Sequence, residues 1–164
     1  MIFTHAEAIE RIDKKGPLPN PAARDHCLQF MVAAALAFGE LRSEHYRAPL
    51  ALDSRIERLR ARTCVVEDVR YTRDYSDPAT LSCANAVQAE FDDGSFTPRV
   101  EMAYPAGDPS RRTEALPNVR RKFMALTQGR WSDSRRESLL TLFSAPSRLD
   151  ALRVRDFAAL LTGE

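Results

Sequence analysis

The sequence has little that would staple, anchor or metallate a chain. Its three cysteines, Cys27, Cys64 and Cys83, form no C-x-x-C pair and have no histidine at ligand spacing, which argues against a disulfide framework and a zinc site. They are expected to be buried, reduced thiols. Long apolar runs are also missing: the longest, Cys27 to Phe38, contains Gln29 and is too short to span a bilayer. The N-terminus shows no basic-then-apolar signal pattern, so the expected location is cytoplasmic, with no membrane partner. Charge of one sign is lacking too. Lys and Arg number 24 against 23 Asp and Glu, a net charge of +1, so no global field recruits nucleic acid. Neither a metal nor a cofactor is expected. Internal repeats and low-complexity tracts are absent.

What is present suits one ordinary domain spanning 1–164, with 44% hydrophobic residues to build a core. His5 to Asp13 reads as a short helix, stopped by Lys14-Lys15-Gly16-Pro17. Asn20 can cap a second helix with Pro21 in its first turn, running to Gly39. Leu28, Met31, Val32, Ala35 and Leu36 follow helical spacing, while Phe30, Ala33 and Ala34 lie opposite, so this helix is expected to be central. A helical turn near Ser43 to Tyr46 and an amphipathic stretch from Asp53 to Arg62, with Ile56 and Leu59 inward, follow. The period then switches. Cys64-Val65-Val66 reads as a short strand, and Asn85 to Phe91 as a strand with Val87, Ala89 and Phe91 on one face. Asp92-Asp93-Gly94-Ser95 is hairpin chemistry, and Phe96 to Tyr104 is the returning arm. Tyr71 to Pro78 reads as a crossover loop. Helix signals return from Pro117 onward. The expected fold is α+β, with helices flanking a small antiparallel sheet.

Three stretches occur in a distinctive order: "IDKKGPLPNPAARDHCLQFMVAAALAFG", "VVEDVRYTRDYSDPATLSCANAVQAEFDDGS" and "VEMAYPAGDPSRR". Together they resemble the C-terminal part of the MmgE/PrpD family, and most closely its 2-methylcitrate dehydratase branch, from about Thr4 to Leu161. The resemblance implies the later part of that family's smaller α+β domain, lacking a large helical N-terminal domain. It implies an active site between the two domains and a tricarboxylate substrate. It also implies a hydro-lyase that converts 2-methylcitrate to 2-methyl-cis-aconitate in propionate breakdown by the methylcitrate cycle, without metal or iron–sulfur cluster. Three positions depart from the family pattern, each losing a donor. Phe30 replaces the usual Tyr, Ser76 replaces the usual His, and the basic run after Tyr104-Pro105 is shortened to Arg111-Arg112.

The residues themselves make half of an anion site. If the helix starts at Pro21, then Ala22, His26, Gln29 and Ala33 share one stripe, polar groups among small ones. Arg24 and His26 at its N-terminal turns would add side-chain charge to the helix dipole. His26 is the candidate acid or base. Arg24, Gln29, Arg111 and Arg112 are the candidate substrate-binding residues, and Asp25 could orient His26. The plainer alternatives are a histidine that bonds a neighbouring loop, an Arg24 ion pair with Asp25 or Asp13, and Lys14 and Lys15 as solvated helix-terminal charges. Competing functions are a related tricarboxylate enzyme of the cis-aconitate decarboxylase type, and a non-catalytic fragment that serves as a dimerising module. The expected partner is a second copy or a separate N-terminal domain.

Overall fold

The first residues of the chain form a strand that the sequence pattern did not single out. β1 (Ile2–Thr4) lies inside a sheet of order β2-β1-β3-β4, with β2 at Val65–Glu67, β3 at Asn85–Val87 and β4 at Val100–Met102. It runs parallel to β2 and antiparallel to β3, and β3 pairs antiparallel with β4. The sheet is therefore mixed, which corrects the antiparallel expectation, while the α+β class stands. A parallel pair needs a long crossover. Here the crossover holds four helices: α1 (Ala6–Ile12), α2 (Pro21–Asp25), α3 (Leu28–Phe38) and α4 (Ser54–Ala61). This computed structural model describes residues 1–162, and the chain divides into one unit from Met1 to Pro105 and another from Ala106 onward.

In the first unit the helices begin where side chains can cap them. The His5 ring accepts from Ala8 N for α1, Asn20 accepts from Ala23 N for α2, and Asp53 accepts from Arg55 N for α4. The long helix expected from Pro21 to Gly39 is broken in two. His26 ends α2, and Cys27 is extended at φ −130°, ψ 108° before α3 begins. Inward side chains fix the break: Arg24 donates to Tyr46 O at 2.8 Å, and Cys27 Sγ bonds Gln29 Oε1 at 3.3 Å. α3 and α4 pack through Cys27, Phe30, Ala33, Ala34, Ala51 and Ile56. The small alanines admit Ile56, so that face is buried, while Leu36 on the other is 64% exposed. Gly39 closes α3 at φ +76°, a left-handed position suited to glycine.

The Tyr71 to Pro78 segment is helical rather than a crossover loop. α5 (Val69–Ser76) is capped by the Asp68 side chain, and it lays Tyr71 against Ala84, Ala86 and Phe3 of the sheet. That packing selects the buried face of β3, so Ala84 and Ala86 point inward while Phe91 is exposed. The strand face read from alternation was the wrong one. The hairpin itself pairs as expected, with Val87 opposite Val100 and an isolated bridge between Glu90 and Phe96. Its turn uses Gly94 at φ +80°, and Asp93 Oδ1 accepts from Ser95 N at 2.9 Å. Of the cysteines only Cys27 is buried; Cys64 and Cys83 are exposed thiols, because β2 is an edge strand and Cys83 alternates with the inward Ser82 and Ala84.

The second unit is helical: α6 (Arg112–Thr127), α7 (Asp133–Phe143), α8 (Pro146–Asp150) and α9 (Val154–Thr162). α6 starts ahead of Pro117, which lies inside it. Ala115, Leu139 and Leu140 are buried with the Arg136 side chain, which donates to Met124 O at 2.8 Å. Phe143 meets both Phe123 and Phe157 edge-on. Much apolar surface stays uncovered, including Leu116, Val119, Leu126 and Val154.

Candidate functional site

The α2–α3 junction gathers the chemistry. His26 Nδ1 lies 2.5 Å from Asp25 Oδ1 and 3.1 Å from Ala22 O. Both neighbours are acceptors, so Nδ1 carries the proton, and Nε2 is the basic nitrogen of the neutral ring. The Asp25 carboxylate bonded to the ring holds the imidazole above the usual histidine range, the Ala22 carbonyl adds to this, and the charge of Lys14 opposes it. The His26 side chain is 68% exposed. An oriented, exposed imidazole with a carboxylate behind it is equipped to take a proton.

The expected geometry around it differs. Arg24 and His26 stand in the last turn and at the C-cap of a five-residue helix, not in the first turns of a long one. Arg24 is buried, with its guanidinium on the Tyr46 carbonyl, and Tyr46 stacks on Phe30. Gln29 is buried as well and donates to Asp13, whose carboxylate also takes Lys15 Nζ at 2.9 Å. The Ala22, His26, Gln29, Ala33 stripe is interrupted by the break. The structure thus keeps His26 and Asp25 outside and places Arg24 and Gln29 beneath them. Their bonds fix the junction and the loop at Lys14 to Gly16, which Arg60 also grips through Lys14 O at 3.2 Å.

Two further contacts shape the junction, one of them from Lys14, which the sequence reading gave as a solvated helix-terminal charge. Lys14 is near enough for its charge to act on His26, and Asp25 acts on the Tyr46 hydroxyl, whose pKa is raised first by burial and then by that carboxylate. The signal for Lys14 was its position two residues before Gly16-Pro17. Arg111 and Arg112 fall in the second unit. Arg111 is paired with Glu114 Oε2 at 2.7 Å, and Arg112 opens α6.

A second charged cluster joins α5 to β4. Arg99 donates to Asp68 Oδ2 at 2.6 Å and to the Tyr71 hydroxyl at 2.9 Å, with its guanidinium 3.9 Å above the Phe3 ring. Tyr71 in turn donates to Glu101. The guanidiniums of Arg70 and then Arg99 hold the Asp68 carboxyl far below the usual carboxylate range. Arg99 and Glu101 reach across to Asp68 and Tyr71 of α5, so these bonds hold the sheet and α5 together. Among the described residues no group of three His, Cys, Asp or Glu side chains is placed to hold a metal ion, and no helix is long and apolar enough to cross a membrane.

Comparison with known proteins adds a lineage to this geometry. Residues 1–144 match the MmgE/PrpD C-terminal domain. The 2-methylcitrate dehydratase of Cupriavidus necator is 41% identical over 156 residues, covering 95% of this chain and 32% of the relative. That of Escherichia coli K12 is 38% identical over 159 residues, 97% of this chain and 33% of the relative. The mitochondrial 2-methylcitrate dehydratase of Yarrowia lipolytica is 39% identical over 139 residues, 85% of this chain and 27% of the relative. The chain spans about a third of the length of the curated relatives it matches.

Proposed function

We propose, on the premise that this chain belongs to the MmgE/PrpD family through its C-terminal domain, that it is part of a hydro-lyase of the 2-methylcitrate dehydratase type. The observation that carries the reading is the Asp25–His26 pair, an exposed imidazole oriented at Nδ1 by a carboxylate. In the proposed reaction His26 Nε2 takes a proton from the carbon next to a carboxylate of 2-methylcitrate. The electron pair forms the double bond of 2-methyl-cis-aconitate, and the hydroxyl leaves as water after protonation by an acid from outside this chain. Lys14 offers positive charge beside the imidazole for the substrate's carboxylates. Arg24 and Gln29 hold the junction in place beneath the imidazole. The three unpaired thiols suit a reducing, cytoplasmic setting in propionate catabolism.

Acid and base must reach one bound substrate, and the junction offers one wall only. The reading therefore includes a partner body, a second copy or a separate N-terminal domain, over exposed apolar residues such as Val100 and Met102. The test is a chimera in which this chain replaces the matching third of the C. necator enzyme. Product is followed by the ultraviolet absorbance of the conjugated tricarboxylate. His26→Ala should lower kcat by roughly 10²-fold or more, the usual scale of general acid–base catalysis. A chimera whose kcat is untouched by His26→Ala overturns the role of His26, and full turnover by the isolated chain overturns the one-wall argument.

A further inference from the structure

A groove of about 370 Å³ runs between α3 and α4, away from the His26 junction in the same unit. Its floor is apolar, made by Leu36, Ala37 and Leu59, and its rim is three arginines, Arg55, Arg58 and Arg62. Leu36 is 64% exposed, which is unusual for a leucine on a helix that otherwise buries its neighbours. The rim has more positive charge than its own acids neutralise. Residues 53–62 hold four arginines and two acids, Asp53 and Glu57. Asp53 is taken by Arg55 at 2.9 Å, and Glu57 lies 3.4 Å from Arg60. Arg55 is further fixed by donating to Ala37 O at 3.1 Å and by lying 5.3 Å over the Phe38 ring. Arg58 has no acidic partner within 4 Å among the described residues and feels Asp53 only through space. Among the described residues the one acid within reach of Arg62 is Asp92, at 4.0 Å, and both side chains are largely in solvent.

We propose that this groove docks an acidic amphipathic helix of a partner protein. Arg58 and Arg62 are four residues apart and so about 6 Å apart along the axis, the spacing of carboxylates at i and i+4 on an incoming helix. An apolar side chain between those carboxylates covers Leu36 and Leu59, as helix-in-groove recognition requires. The floor offers no aromatic ring for a base to stack on, and the overall charge of +1 gives no nucleic-acid field, so the excess charge is matched to a protein helix. The inference is independent of the His26 chemistry.

The probe is a short fluorescent helical peptide with Glu at i, i+4 and i+7 and Leu between them, compared by anisotropy with the same peptide bearing Lys for Glu. The Glu peptide should bind the full chain, weaken as salt rises, and lose at least about tenfold in affinity with Arg58→Glu and Arg62→Glu combined. Leu36→Asp should weaken it as well, with circular dichroism confirming that each variant keeps its helix content. Equal binding of the Lys peptide, or an unchanged affinity in both variants, overturns the proposal. So does equally effective competition by free glutarate at the peptide's concentration, which would mark a small-anion site. Self-association that is abolished by the same substitutions would assign the groove to a second copy and also overturn it.

Discussion

His26 is tuned from one side of its ring, and the sign of that tuning can be checked. A histidine whose folded pKa is raised contributes stability that is fully present below its unfolded value, near 6.5, and lost as pH rises through the higher folded value. The two-dimensional NMR titration of His26 should therefore give a midpoint above the ordinary value, and Asp25→Asn should bring it down, because the carboxylate bond is the largest cause. An unmoved midpoint would mean that the pair does not hold in solution. The opposite case is Asp68, whose depressed carboxyl adds stability above its unfolded value and loses it as pH falls. Arg99 is its partly buried partner, so Arg99→Met should cost roughly 1–3 kcal/mol, the scale of a hydrogen bond to a charged group. Denaturant unfolding at neutral pH measures it, and the cost should shrink in acid, where Asp68 is protonated.

Individual elements show which signals reach through a bare sequence. Local ones do. Asn20 before Pro21, Asp53 before its amphipathic helix and Asp93-Gly94 in the turn each act within three residues, and each sits where the pattern places it. Gly94→Ala tests the last of these: at φ +80° a Cβ is strained, so the substitution should cost about 1–2 kcal/mol in thermal or denaturant unfolding although nothing crowds the site. Signals that depend on distant partners do not come through. The break after His26 follows from Tyr46, Lys14 and Asp13, none of them next to it in sequence, and the apolar run from Phe30 to Phe38 hides it. Asp68, Tyr71 and Tyr75 had helical spacing for α5, but the polar run around them reads as loop. β1 is three residues long and gains its place from two strands distant in sequence, Val65–Glu67 and Asn85–Val87. At the candidate site, the bond between Asp25 and His26 was legible, because the two are sequence neighbours. The inward turn of Arg24 and Gln29 was not, since a buried arginine is explained only by the carbonyl it meets.

At the scale of the whole molecule, a chain a third as long as its relatives carries uncovered apolar side chains in both units, among them Val100 and Met102 in the first and Leu126 and Val154 in the second. Isolated in solution it should self-associate, and sedimentation velocity showing a clean monomer across a wide concentration range would count against a partner body. β1 adds a constraint of time. It leaves the ribosome before either of its partner strands, yet Ile2 and Thr4 are almost wholly enclosed, between a strand beginning at Val65 and another ending at Val87. Until both have been synthesised its backbone cannot be paired on both sides, while α3 and α4 can already meet through contacts much closer in sequence. Translation that stalls before Val87 leaves this interior strand with an open ladder, to which another nascent chain can add.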